Sequence, residues 1–128
     1  MTNRKWHRNG FTLIELLVVM VIISLLLSIV TPRYFHSITK AEEAVLKEDL
    51  TLMRDALDKY HADNGSYPDT LDDLITRKYL RKIPVDPVTK SPSTWILIPP
   101  ASTEKGAIFD IKSGASGNSI DGTPYADW

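Results

Sequence analysis

Two kinds of hydrophobic pattern follow one another along the chain. Residues 11–30 have the sequence FTLIELLVVMVIISLLLSIV, in which Glu15 is the one charged side chain and glycine and proline are absent. A helix of about 20 apolar residues is long enough to cross the roughly 30 Å hydrocarbon core of a bilayer. The first pattern therefore predicts a membrane-spanning helix.

The second pattern, between residues 40 and 62, is amphipathic. Five apolar side chains recur at alternating spacings of four and three, which places them on one face of a helix, and Val45, Leu52 and Ala56 are predicted to widen that face. We expect it to pack as a core on a small sheet. A coiled-coil partner is the alternative, although the repeat is short. The five residues are Leu46, Leu50, Met53, Leu57 and Tyr60.

Turn-forming residues end this helix and separate the elements after it. Asn64-Gly65 offers a C-cap, and Pro68 cannot continue a helix. A helix of about two turns is predicted over residues 71–77, capped by Asp69 or Thr70.

Short strands are predicted at residues 95–98 and 107–112, since both segments are rich in β-forming residues and bounded by turns. Asp86, between two prolines, is predicted to hold a structural corner. Residues 113–128 are rich in Gly, Ser, Asn and Asp and predict an ordered loop. The fold class is α+β: one long N-terminal helix, a transmembrane first half and an amphipathic second half, packed on a small antiparallel sheet.

Charge is distributed unevenly around the apolar run. The leader, residues 1–10, contains Arg4, Lys5 and Arg8 and no acid. This bias places the N-terminus in the cytoplasm and the rest of the chain outside. Removing the leader leaves twelve basic and sixteen acidic side chains, so the net charge falls from −1 to −4. A mildly acidic chain is a poor nucleic-acid binder, and the absence of cysteine excludes disulfides and thiolate chemistry.

Glu15 is the exceptional residue of the apolar run. A carboxylate deep in a membrane helix costs on the order of 2.5–3.5 kcal/mol. One interpretation is that Glu15 reaches the interface and has no role. The other is that it has a cationic partner: cleavage before Phe11 would create an α-ammonium at a similar depth, and a carboxylate on a neighbouring subunit could neutralise it. A cleaved secretory signal explains the run less well, because it is long and no A-x-A-like site follows it.

The segment Arg8-Asn9-Gly10-Phe11-Thr12-Leu13-Ile14-Glu15 resembles the prepilin signal of the type IV pilin superfamily. The resemblance implies cleavage between Gly10 and Phe11 by the prepilin peptidase, N-methylation of Phe11, and a role for Glu15 and Phe11 in filament assembly. Pro32 resembles the family's proline, which kinks a longer helix; a plain helix stop is the alternative. The implied organisation is a leader (1–10), a transmembrane and filament-core helix (11–31) and a periplasmic head (32–128).

Farther along, NGSYP, YLRKIPVDPVTK and FDIKSGASGNSIDGTPYADW resemble the major pseudopilin of type II secretion systems. This resemblance implies a homo-oligomeric helical filament in the periplasm, built from an inner-membrane precursor, that drives protein secretion across the outer membrane. The implied partners are other pseudopilins, the inner-membrane assembly platform and the prepilin peptidase. A type IV pilus pilin, acting in adhesion, motility or DNA uptake, is the alternative.

Pseudopilins of this kind typically bind calcium in the loop after the last strand, so a structural calcium is possible here. The candidate ligands are Ser116, Asn118, Asp121 and Asp127, and calcium prefers six to eight oxygens. Ser116, however, stands where the family has an aspartate. A loop held by Asx turns and aromatic packing is the competing interpretation.

Catalysis is not expected from this sequence. No catalytic residue is predicted: the chain has no P-loop, no G-x-S-x-G and no paired-histidine metal spacing. His61, on the long helix, is predicted to be a surface side chain. A membrane-tethered binding or enzymatic domain would share the anchor but would not need Glu15.

Overall fold

The structure is a computed structural model that describes residues 10–128. Its elements are helix α1 (Leu13–Asn64), helix α2 (Leu71–Thr76), strands β1 (Ile96–Ile98) and β2 (Asp110–Lys112), and a final 3₁₀ turn (Tyr125–Asp127). The chain divides into two compact units, Met1–Ser37 and Ile38–Trp128. The α+β class is confirmed.

In the first unit, the described residues are the apolar part of α1 and the short segment before it. Its large hydrophobic side chains are exposed throughout, and by length and composition α1 is apolar enough to cross a membrane. The hydroxyl groups of Ser24 and Thr31 donate to the carbonyls of Met20 and Leu27, at 2.8 and 2.6 Å. These side chains therefore satisfy their polar groups within the helix, as a hydrocarbon environment requires.

The helix continues through Pro32, so this residue does not end the helix. Proline has no N–H for the helical hydrogen bond. In the interior of a helix it costs roughly 3 kcal/mol relative to alanine. The apolar residues before it and the amphipathic stripe after it both favour helix, and α1 spans them without a break.

The core of the second unit is built on the predicted stripe of α1. All five predicted residues are buried, and Ala56 joins them. The side chains that cover the stripe come from α2, from β2 and from the loops: Leu74, Leu80, Trp95, Ile108, Ile111, Ala115 and Tyr125. The stripe is thus an intramolecular core, as predicted.

Two residues expected to widen the stripe do not. Val45 is 46% exposed and Leu52 is 51% exposed. At 3.6 residues per turn, both lie roughly 100° around the helix from the centre of the stripe, beyond the edge of the packed face.

The sheet is smaller than the sequence predicts. It has two antiparallel strands of three residues each, with Leu97 opposite Ile111. The predicted strand 107–112 is shortened because the N–H groups of Ala107 and Ile108 both donate to the Pro68 carbonyl, at 3.1 Å. These two N–H groups therefore bind the segment that follows α1, and they do not extend the hydrogen-bond ladder between the strands. The predicted start at Trp95 is likewise outside β1, and the Trp95 indole donates to the Pro84 carbonyl at 2.9 Å.

Asp86 forms the predicted corner from a fully buried position. One carboxylate oxygen accepts the N–H groups of Val88 and Thr89, at 2.9 and 3.3 Å. The other accepts the Ser113 hydroxyl, and the Ser113 oxygen accepts the Ala115 N–H at 3.1 Å. Asp86 therefore joins the Pro-rich corner to the first residues of the C-terminal loop.

Two glycines are required by close backbone approach. A Cβ at Gly106 would overlap the carbonyl of Tyr67, and one at Gly114 would overlap the carbonyl of Thr94. In both cases the added Cβ would meet backbone atoms. A side chain at either glycine would therefore push apart two segments that are in contact.

The buried stripe generates a paired prediction. Leu50 is 2% exposed and Leu52 is 51% exposed on the same helix. Leu50→Ala should lower the free energy of unfolding of the full-length chain in detergent by about 2–5 kcal/mol, because it leaves a cavity. Leu52→Ala should change it by less than about 1 kcal/mol. Urea denaturation of both variants checks this, and equal losses would contradict the assigned helix face.

Candidate functional site

The residues before α1 form an open N-terminal segment. Gly10, Phe11 and Thr12 precede the helix, Phe11 is 83% exposed, and open space surrounds the position where a Cβ of Gly10 would lie. The predicted cleavage bond between Gly10 and Phe11 is thus in non-helical, exposed backbone. The basic residues of the leader lie outside the described residues.

Thr12 caps α1, which is a role the sequence interpretation missed. Its hydroxyl oxygen accepts the N–H of Glu15 at 3.1 Å, and its carbonyl accepts the N–H of Leu16 at 3.1 Å. The pattern Thr-x-x-Glu just before an apolar run is the sequence signature of such a cap and could have identified it.

Glu15 lies in the first turn of α1 and is exposed. The free N–H groups of a helix N-terminus favour a negative charge in that turn. A carboxylate is therefore better placed in this turn than farther along the apolar helix. The structure contains a single chain, so the pairing of Glu15 with Phe11 of a neighbouring subunit stays a prediction.

Around this carboxylate, the apolar surface of α1 is continuous. Contiguous exposed hydrophobic surface of this extent marks a membrane or protein contact. Large apolar side chains are exposed at sixteen of the twenty positions from Phe11 to Val30. Pro32 follows this stretch, and its role as a kink stays a prediction.

The four predicted calcium ligands all lie on the surface of the C-terminal loop (residues 113–128). Ser116, Asn118, Asp121 and Asp127 are each exposed. Asp121 Oδ1 accepts the Ser119 hydroxyl and the Thr123 N–H, the latter at 3.1 Å. The hydrogen bond from Ser119, followed by that from Thr123, lowers the pKa of Asp121 to about 2.

Two of these four side chains are acidic, and a calcium ion held by them stays a prediction. Calcium prefers six to eight converging oxygens, whereas within residues 10–128 no three acidic or histidine side chains gather in a way that could hold a metal. Asp121 instead closes a turn of its own loop.

Residues of α1 that sequence reasoning did not single out hold this loop. Glu43 Oε1 accepts the Ile120 N–H at 2.8 Å and the Tyr125 hydroxyl at 2.9 Å. Arg54 donates to the Trp128 carbonyl at 2.8 Å. It also donates to the Ile111 carbonyl at 2.9 Å and to Asp110 Oδ1 at 2.8 Å. Sequence separations of 56 to 82 residues leave no local pattern from which these contacts could be predicted.

His61 was predicted to be a surface side chain, and in the structure it is partly buried. Its Nε2 lies 3.2 Å from Glu104 Oε2, and its ring stacks on Tyr67 with ring centroids 4.2 Å apart. It therefore joins the long helix to the turn before β2.

The Tyr125 phenol generates a pH prediction. Burial, followed by its hydrogen bond to Glu43, raises its pKa to about 12. Below about pH 10 the phenol is neutral in both folded and unfolded chains, so its contribution to stability is complete. Between about pH 10 and 12 the unfolded chain ionises first, and that contribution is lost as the pH rises. Tyr125→Phe should therefore lose less stability across this range than the native protein. Urea midpoints at several pH values check this; parallel curves would contradict it.

Comparisons with known proteins bear on the N-terminal segment first. A family model described as the prokaryotic N-terminal methylation motif matches residues 7–31. The match covers Gly10, Phe11 and Glu15 and ends just before Pro32. No solved structure gives a significant match.

Curated relatives cover much more of the chain. Type II secretion system core protein G of Klebsiella michiganensis is 35% identical over 100 residues, covering 66% of this chain and 70% of the relative. The protein of the same name from Pseudomonas aeruginosa is 36% identical over 97 residues, covering 63% and 68%. That from Escherichia coli K12 is 31% identical over 126 residues, covering 86% and 83%. The chain therefore belongs to the family of type II secretion system core protein G, the major pseudopilins.

Proposed function

We propose that this chain is the structural subunit of a short periplasmic pseudopilus that drives protein secretion across the outer membrane in a type II secretion system. The observation that carries the proposal is the N-terminal segment, where the methylation motif coincides with an exposed apolar helix. The relatives named core protein G support this secretion system over a type IV pilus.

The first step is processing of the precursor. The prepilin peptidase would cleave between Gly10 and Phe11 and methylate the new N-terminus of Phe11. The exposed, non-helical backbone at this bond supports the assignment, because a peptidase binds its substrate in extended form. The helix begins two residues later, at Leu13, so cleavage leaves α1 and its Thr12 cap intact.

Membrane residence follows from the same helix. We expect the leader in the cytoplasm, residues 11–31 in the inner membrane and the head, residues 32–128, in the periplasm, since the basic residues precede the apolar run. The hydroxyl groups within that run donate to their own helix, which suits a lipid environment.

Assembly then exchanges lipid contacts for protein contacts. The exposed apolar side chains of α1 would pack against the same helices of other subunits in the filament core. Glu15 would pair with the methylated ammonium of Phe11 on a neighbour. Such a pair contributes more to register than to net stability, because burying two charges also costs desolvation energy.

The partners in this scheme are copies of the chain, other pseudopilins and the inner-membrane assembly platform. Energy for growth would come from a separate cytoplasmic ATPase, since the sequence carries no nucleotide-binding motif. The work of the chain is mechanical, and we propose no catalytic role for it.

Glu15→Val tests the charge pair. The precursor should still insert and be processed, because the cleavage site and apolar run remain. Filaments should be lost, and with them secretion of the exoproteins, because the Phe11 ammonium of each neighbour has no partner. Intact mass of the membrane protein reports removal of residues 1–10 and addition of one methyl group; electron microscopy reports filaments.

Two matched variants make this test specific. Glu15→Asp keeps the charge and should retain part of the assembly, and Ser24→Ala removes a polar group from the same helix without touching a charge. Normal filaments from Glu15→Val would overturn the pairing. Long surface pili that contain the chain in the native strain, together with unimpaired exoprotein secretion in a strain that lacks the chain, would instead support a type IV pilin.

A further inference from the structure

The C-terminal loop must be held in place by contacts other than regular secondary structure. Residues 113–128 form no strand, and their secondary structure is limited to an isolated bridge between Asn118 and Pro124 and one 3₁₀ turn. A loop of this length is ordered only if contacts to the body offset its conformational entropy. A metal ion, a disulfide or side chains of the body can supply them, and cysteine is absent.

One carboxylate of α1 contacts the middle of the loop at two points. Glu43 Oε1 accepts both the Ile120 N–H and the Tyr125 hydroxyl, at 2.8 and 2.9 Å. Hydrogen bonds to an ionised acceptor are about twice as strong as those between neutral groups. Tyr125 is 6% exposed and packs edge-on against Trp128. Glu43 therefore fixes both the backbone and an aromatic anchor of the loop.

Cations of the body contact the end of the loop. Arg54 donates to the Trp128 carbonyl at 2.8 Å, and Lys112 Nζ donates to the Ala126 carbonyl at 3.0 Å. Lys47 Nζ lies 4.6 Å from the Trp128 ring centroid, within the range of a cation–π contact. Two main-chain oxygens of the loop thus accept hydrogen bonds from the body, and three positively charged side chains lie against the loop.

We infer that the C-terminal loop of this pseudopilin is held by protein side chains, with Glu43 as its central anchor, and that it keeps its folded conformation without calcium. Oxygen atoms at the Asp121 turn, at Ala126 and at Trp128 accept hydrogen bonds from the chain itself. The contacts made by Glu43, Arg54, Lys47 and Lys112 perform the positioning that a bound ion would otherwise perform. The loop is held in this way whether or not the chain assembles into a filament.

Full-length protein in detergent provides the test. Its thermal melting temperature and the hydrogen exchange of peptides from residues 113–128 are measured in excess EGTA and in about 10 mM calcium chloride, which exceeds the weakest dissociation constants of protein calcium sites, on the order of 10⁻³ M. The loop amides should be protected equally in both, and the melting temperature should shift by less than about 1 °C. A rise of several degrees with calcium, or protection that appears only with calcium, would overturn the inference.

Glu43→Ala tests the anchor itself, because it removes the oxygen that accepts both hydrogen bonds. It should speed exchange in the loop and lower the melting temperature in both buffers, and calcium should not restore either. Glu48→Ala removes an exposed carboxylate on the same helix and is the control, expected to match the native protein. Native exchange in the loop of Glu43→Ala would overturn the anchor. Should this variant fail to fold, the comparison of calcium with EGTA on the native chain still decides the role of the ion.

Discussion

The structure depends on one constraint: a single helix, Leu13–Asn64, is apolar on all sides in its first half and on one side in its second. An all-round apolar helix is stable only when lipid or protein surrounds it, whereas a one-sided helix needs a partner on that side alone. The head supplies that partner with Leu74, Trp95, Ile108 and Ile111. In the first half the large apolar side chains are exposed, and the membrane and filament contacts proposed above would cover them.

Away from the stripe, hydrogen bonds of polar groups hold the head together more than strand pairing does. Two three-residue strands supply little ladder, so buried Asp86 and the carbonyl of Pro68 hold the loops in place. Glu43 and Arg54 extend this arrangement from the flank of the helix to the C-terminus. The side chains that determine the shape of the head are therefore few, charged and far apart in sequence.

This division explains what the sequence could predict. Periodicity specifies the five stripe residues, the apolar run and the end of α1 near Asn64-Gly65, because these follow from local geometry. It fails at Val45 and Leu52, where the extent of the core depends on what covers the helix. The second strand is predicted too long because the competing acceptor, the Pro68 carbonyl, lies about forty residues away. At the N-terminus the motif indicates Gly10, Phe11 and Glu15 directly, and the Thr12 cap could have been recognised beside them. The loop anchors could not, because nothing near Glu43 in sequence indicates Ile120 or Tyr125.

The position of Glu15 four residues after Phe11 has a consequence for symmetry. In the proposed contact, the cation of one subunit meets the anion of another, and the two groups occupy different positions on the chain. Such a contact is heterologous: each subunit presents one half to the copy before it and the other half to the copy after it. Heterologous contacts that do not close into a ring continue indefinitely as a helix. A cation at Phe11 and a carboxylate four residues later are thus sufficient to give the assembly a direction, with one unsatisfied cation at one end and one unsatisfied carboxylate at the other.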